Sequence, residues 1–219
     1  MKLDRRGLLV LGAAAAGVVF EALSAERVAQ ADDAPDLLGK IAAARASLKT
    51  LVAPFTQERR IGLLATVVKS EGELTLVRPD RLRWELLPPD GIVYWIGPEG
   101  LAYATRNGGA SVGREAAGRF AGLLGDLATF VGGDLEKLRA RYDIRVAQQE
   151  EGVTLAATPR SEDAKKQLRS VELVFGPDLW AIRRITIEEK GGDRSVIRFG
   201  KATRDGAVDP ARMTPPKGG

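Results

Sequence analysis

The stretch Ser70 to Glu85, SEGELTLVRPDRLRWE, constrains the fold more than any other, because two alternating runs meet in it at a single arginine. Leu74 and Leu76 alternate with Glu73 and Thr75, the period of a strand buried on one face, and the same parity carries Arg78 onto the apolar side. Pro79 stops the ladder and Pro79-Asp80 turns it. The alternation resumes with Leu82, Trp84 and Leu86 on one face and Arg81, Arg83 and Glu85 on the other. A fold containing this hairpin buries one face of an antiparallel pair and supplies acceptors for a guanidinium pointing the same way.

The pattern recurs along the chain. Leu51 to Arg59, Ala65 to Val77 with a bend expected at Gly72, Arg81 to Leu87, Ile92 to Ile96 and Leu101 to Thr105 read as strands joined by short turns, an antiparallel meander. In the second half Tyr142, Ile144 and Val146 alternate, then Val153, Leu155 and Ala157, then Val171, Leu173 and Phe175. Trp180 and Ile182 share one parity and Ile185 and Ile187 the other, which predicts a bulge near Arg183-Arg184. Gly191-Gly192-Asp193 closes a hairpin into Val196 to Ala202, and the polar run Glu162 to Gln167 reads as a loop or helical turn.

Three segments follow a helical period instead. In Asp36 to Leu48 the residues Leu37, Ile41, Ala44 and Leu48 form one stripe, with Pro35 and Asp36 suited to the first turn. In Arg114 to Leu127 the stripe is Ala116, Phe120, Leu123 and Leu127, interrupted by Gly118, Gly122 and Gly125. Each glycine costs about 1 kcal/mol against alanine, so this helix is held by packing and is able to move or fray. A short helix, Asp134 to Arg139, has Asp134 as its expected N-cap. About ten strands and three short helices in one domain predict a mainly β chain with short helices, its single sheet strongly curved.

Composition removes several kinds of chemistry. The 219 residues contain neither Cys nor His, which excludes disulfides, a lipid-modified cysteine, Cys or Ser-His nucleophiles and the usual zinc sites. No catalytic constellation emerges; Glu71 and Glu73 read as solvated strand residues rather than an acid/base pair, and neither a metal nor a cofactor is expected. Lys2, Arg5 and Arg6, the uncharged run Gly7 to Phe20 and Ala29-Gln30-Ala31 read as a cleaved export signal over residues 1–31, of twin-arginine or Sec type. Residues 32–219 would be the mature domain. Losing residues 1–31 takes four basic and three acidic side chains from a chain of net charge +4, leaving +3, too dilute and scattered for nucleic acid.

Phe55-Thr56-Gln57, Gly72-Glu73-Leu74, Arg78-Pro79 with Leu82 and Trp84, and Gly100-Leu101 with Tyr103 stand in an order that resembles the LolA family of periplasmic lipoprotein carriers. Tyr142-Asp143-Ile144, Gly206-Ala207-Val208-Asp209 and Thr214-Pro215-Pro216 extend the resemblance over nearly all of the expected mature chain. The resemblance implies an incomplete antiparallel β-barrel of about ten to eleven strands with a helical lid over an apolar cavity. It implies a non-enzymatic, monomeric carrier that takes acylated lipoproteins from an inner-membrane lipoprotein-releasing ABC transporter to an outer-membrane receptor of LolB type. Candidate cavity residues are then Phe55, Leu74, Leu76, Leu82, Trp84, Leu86, Tyr94, Tyr103, Phe120, Leu123, Leu127, Leu173 and Phe175.

In the family the arginine before the proline fastens the lid, a role that would fall here on Arg78, with partners expected in Arg114 to Phe130. A bulky aromatic four residues later is associated with gripping the exporter or the acyl chains, and Leu82 stands in its place. Longer members continue past the Pro-Pro pair into an extra strand and tail, whereas this sequence stops at Gly219. Alternation alone does not separate a packed core from a cavity wall, nor a latch from an arginine snorkelling to water. The same fold carrying another lipid or a glycolipid is the alternative reading.

Overall fold

The computed structural model describes residues 37–62, 66–113, 118–132 and 135–215, with the backbone alone for 110–113, 118–124, 135 and 136. The expected signal peptide, Pro35, Asp36, Arg114, Ala116 and Asp134 lie outside the described residues. Residues 34–219 form one compact unit.

The first half is an uninterrupted meander: β1 (Thr50–Ile61), β2 (Thr66–Val77), β3 (Arg81–Leu86), β4 (Ile92–Gly97), β5 (Gly100–Thr105) and β6 (Gly108–Gly113). The second is β7 (Tyr142–Gln149), β8 (Gly152–Pro159), β9 (Leu168–Phe175), β10 (Ile182–Glu189) and β11 (Arg194–Phe199), with the two-residue β12 (Thr203–Arg204) set against β1. Pairing of β1 with β11 joins the halves into one antiparallel sheet in the order β6-β5-β4-β3-β2-β1-β11-β10-β9-β8-β7, curled and open. The expected ten to eleven strands are therefore these eleven plus a short twelfth. Facing residues of an antiparallel pair share a side of the sheet, so the register explains the burial. Leu51, Leu76, Leu82, Ile96 and Leu101 make one apolar row, and Ala53, Leu74, Trp84, Tyr94 and Tyr103 the next. Ile197, Ile185, Leu173, Leu155 and Val146 continue the same face across the other half.

Two expected irregularities resolve differently. The register shift between Ile182 and Arg184 is the predicted bulge. Gly72, expected to bend β2, instead makes room: a Cβ there would lie 2.2 Å from both the Phe55 ring and the Glu85 carbonyl oxygen. Strand β6 had no counterpart in the sequence reading. Its GGASVG run lacks apolar alternation, although Asn107-Gly108 is a strong hairpin-turn signal and Gly108 has φ +127°.

Helices cover the inner face. α1 (Leu37–Ala46) buries Leu38, Ile41 and Arg45, with Leu48 just beyond its end. The buried stripe is thus rotated from the expected Leu37, Ile41, Ala44 and Leu48, and it brings a charged side chain inward. α2 (Gly118–Gly132) runs five residues further than expected, burying Leu127, Phe130 and Val131. α3 (Leu135–Arg141) packs on β7, and α4 (Glu162–Lys165) is the expected helical turn, capped by Ser161. Leu38, Ile41, Leu127, Phe130, Val131 and Leu138 share one core with the inner faces of both meanders. The 3-10 turn Pro210–Met213 lies on the opposite, outer side of the hairpin, where Arg212 pairs with Glu73 and accepts from the Trp95 indole through its carbonyl.

Candidate functional site

An apolar groove lies between the inner face of the sheet and α2, and aromatic rings form part of its wall. The Phe55 and Trp84 ring centroids are 4.1 Å apart, with Phe199 set edge-on to both at 6.1 and 6.4 Å. Phe55 occupies this place because Gly72 opposite it has no side chain. Below the lid, Leu51, Ala53, Leu74, Val131, Ile182, Phe199 and Ala202 surround a crevice of only about 10 Å³. That volume is at the threshold for a single water, so with α2 in place the crevice has no room for a larger group.

Most candidate cavity residues meet on this face. Phe55, Leu74, Leu76, Leu82, Trp84, Leu173 and Phe175 are buried on the sheet, and Leu127 closes on them from α2. Leu86 and Tyr94 are half-buried against the same core. Tyr103 is 37% exposed near the open edge and lies outside the covered part of the groove. Phe120 and Leu123 fall on α2, but their side chains lie outside the described ones. Leu82 is fully buried between Leu76 and Ile96.

The arginine at the strand end does find carbonyl company, though not where it was expected. Arg78 donates from Nη1 to the backbone carbonyl of Arg45 at 2.9 Å, in the last turn of α1 and not in Arg114 to Phe130. The contact with the lid is made by Arg45 itself. Its side chain is 1% exposed, and its Nη2 donates to the Val131 carbonyl in α2 while Nη1 donates to the Trp180 carbonyl before β10. The guanidinium carbon lies 6.0 Å from the centre of the Phe175 ring. Burial and then the charge of Arg78 push the Arg45 guanidinium down to about 10, so it remains a cation at neutral pH. Among the described residues no carboxylate pairs with it, and its Nε has no partner. A charged residue between alanines reads as solvated, which is why the sequence reading passed over it; the only signal was its place seven residues after Leu38 on the buried face.

A second polar contact fastens the same helix. The Tyr142 hydroxyl, at the start of β7, donates to the Asp126 carboxylate, which also pairs with Arg141. Burial raises the Asp126 carboxyl above its ordinary value, against the lowering effects of Tyr142 and Arg141. Tyr142 is raised as well, by burial and by the carboxylate it binds.

The remaining charged groups near the hairpin are structural. Glu73 and Glu85 both pair with Arg212, and Glu85 accepts from Arg83 at 2.7 Å, a bond that lowers its carboxyl. Among the described residues no cluster of three or more acidic groups could hold a metal ion. No described helix is long and apolar enough to cross a membrane.

Fold and groove together define the class: an open, curled β-sheet whose apolar hollow is filled by its own covering helix. The family described as outer membrane lipoprotein carrier protein LolA matches residues 46–94 and 123–214. A protein of Dechloromonas aromatica, strain RCB, named outer-membrane lipoprotein carrier protein, is 31% identical over 162 residues, covering 68% of this chain and 70% of its own length. The chain belongs to the LolA family, whose members are carriers and not enzymes.

Among solved structures, the Pseudomonas aeruginosa MucA/MucB complex matches at 19% identity and a TM-score of 0.47, over 83% of this chain and 60% of that one. This chain therefore spans about 60% of the length of that structure. A LolA superfamily protein of Nitrosomonas europaea matches at 11% identity and a TM-score of 0.43, over 81% of this chain and 95% of that one. The family assignment rests on the two sequence matches and not on these likenesses.

Proposed function

We propose that the chain, exported by a cleaved signal peptide, is a periplasmic carrier that shields the acyl chains of lipoproteins in the groove and transfers them from the inner to the outer membrane. The name of the Dechloromonas relative supports the lipoprotein cargo. On this reading a lipoprotein-releasing ABC transporter loads the groove, a receptor of LolB type unloads it, and the protein works as a monomer. One observation carries it: an apolar face continuous over both meanders is covered by a glycine-interrupted helix tied down through polar bonds.

The energetics suit the task. Each buried methylene contributes about 0.8 kcal/mol, so a long acyl chain is strongly driven into an apolar groove. Polar ties resist opening in the empty protein, so they must be broken before the apolar face is exposed to a chain. Arg78 takes part by holding the end of α1 against the strand end. Native mass spectrometry of the protein purified from its own periplasm tests the reading. A bound triacylated protein is the expected result, whereas a free lipid or glycolipid in the groove would replace lipoprotein by another cargo.

A further inference from the structure

Resting on the carrier reading, we propose that Arg45 is a carbonyl exchange site: its guanidinium holds lid and turn carbonyls in the closed protein and takes the acyl-linkage carbonyls of cargo when α2 moves away. The closed state shows the first half of the exchange, Nη2 on Val131 and Nη1 on Trp180. Val131 also lines the crevice under the lid, and Ile182, two residues after Trp180, lines it from the sheet. The donors of Arg45 thus end on the same two segments that bound the apolar space.

Displacing α2 removes the Val131 acceptor and leaves a cation without that partner beside an apolar hollow. A buried guanidinium without an acceptor is strongly unfavourable, and neither Phe175 nor the leucines of the sheet can accept a hydrogen bond. Nε is already without a partner and adds a second unfilled donor. A bare hydrocarbon in the groove would leave both unfilled. A chain joined to its carrier by an ester or amide brings a carbonyl oxygen at its head and restores the bond that the lid gave up. The site therefore selects acyl chains over plain alkyl chains and places the linkage at Arg45, with the hydrocarbon running into the crevice that Val131 shares with Leu74 and Phe199. Arg78 is a positioning residue, since its bond to the Arg45 carbonyl fixes the backbone from which that side chain reaches out.

The test is displacement of the uncharged dye N-phenylnaphthylamine from the intact mature protein by a fatty-acid methyl ester and by the alkane of equal carbon number. Wild type is expected to prefer the ester about tenfold after correction for their water solubilities, the yield of one hydrogen bond to a charged group. Arg45→Met should lose that preference while binding the alkane at least as well, and Arg45→Lys should keep part of it. Equal binding of ester and alkane by wild type overturns the exchange and leaves the carrier reading standing, a result that does not depend on whether Arg45→Met folds. Failure of both chains to displace the dye overturns the carrier reading with it. A preference that survives intact in a folded Arg45→Met protein assigns it to other groups and overturns the role of Arg45.

Discussion

Arg78 Nη1 lies 2.9 Å from the backbone oxygen of Arg45, and the side chain of Arg45 continues to the Val131 carbonyl, so the strand-end arginine is connected to the lid through a second arginine. Replacing Arg78 with Leu removes one charge-assisted bond at a part-buried site and the repulsion between two nearby cations. The net expectation is a folded protein about 1 kcal/mol less stable in urea titration. Hydrogen exchange should quicken at the end of α1 and in Phe130 to Gly132, and transfer of lipoprotein to acceptor vesicles should fall. Unchanged exchange in α2 would disconnect Arg78 from the lid.

Gly125 sits inside α2 with nothing within 4 Å of where a Cβ would stand. Gly125→Ala should stabilise the helix by about 1 kcal/mol without a clash. Exchange across Gly118–Gly132 should slow, and loading of an acyl probe should slow with it, measured by stopped-flow dye displacement. Faster loading would contradict a covering helix that must open.

Asp126 titrates with a predictable sign. Its carboxyl is raised by burial, so its proton is held more tightly in the folded than in the unfolded chain. The resulting contribution to stability is fully present below the ordinary value of 3.8 and is lost as pH rises through the folded value. Asp126→Asn keeps an acceptor for the Tyr142 hydroxyl and cannot titrate. Unfolding free energy of wild type minus that of the variant should therefore decline from about pH 4 upward. A difference that grows over this range would show that pairing with Arg141 outweighs burial.

Gly72→Ala places a methyl group 2.2 Å from the Phe55 ring and from the Glu85 carbonyl oxygen, and the carbonyl belongs to a paired strand that cannot yield cheaply. A loss of about 2–3 kcal/mol is expected from overpacking, read as a lower urea midpoint. Smaller losses would mean that the Phe55 ring swings aside, which near-ultraviolet circular dichroism would detect.

The sheet was legible because its covered inner face is apolar at every second residue, as in Leu51, Ala53 and Phe55 of β1, Leu74 and Leu76 of β2, and Leu82 and Trp84 of β3. The bulge at Ile182 and Arg184 was legible for the same reason, as a change of parity. What escaped notice carries no apolar signal. β6 pairs through its backbone, with a glycine-rich sequence that shows no apolar pattern. Arg45 is buried because its donors reach two carbonyls more than 80 residues away in sequence, and nothing local to the helix records their presence. Arg78 was recognised as a charge needing acceptors, but not which carbonyl it would find. The Asp126 and Tyr142 contact was equally hidden, since each residue looks ordinary in its own element.

Among the described residues, the space under α2 is a crevice of about 10 Å³, so that part of the groove offers an incoming chain no room while the helix is in place. Leu127, Phe130 and Val131 fill that volume, and at about 1.5–3 kcal/mol each they amount to roughly six to eleven methylenes of acyl chain. On the carrier reading α2 is a tethered competitor for its own binding site. An incoming chain gains only the excess over what the helix surrenders, and the helix reclaims the space when the chain leaves. Affinity limited in this way from within lets a protein hold a strongly apolar passenger and still give it up.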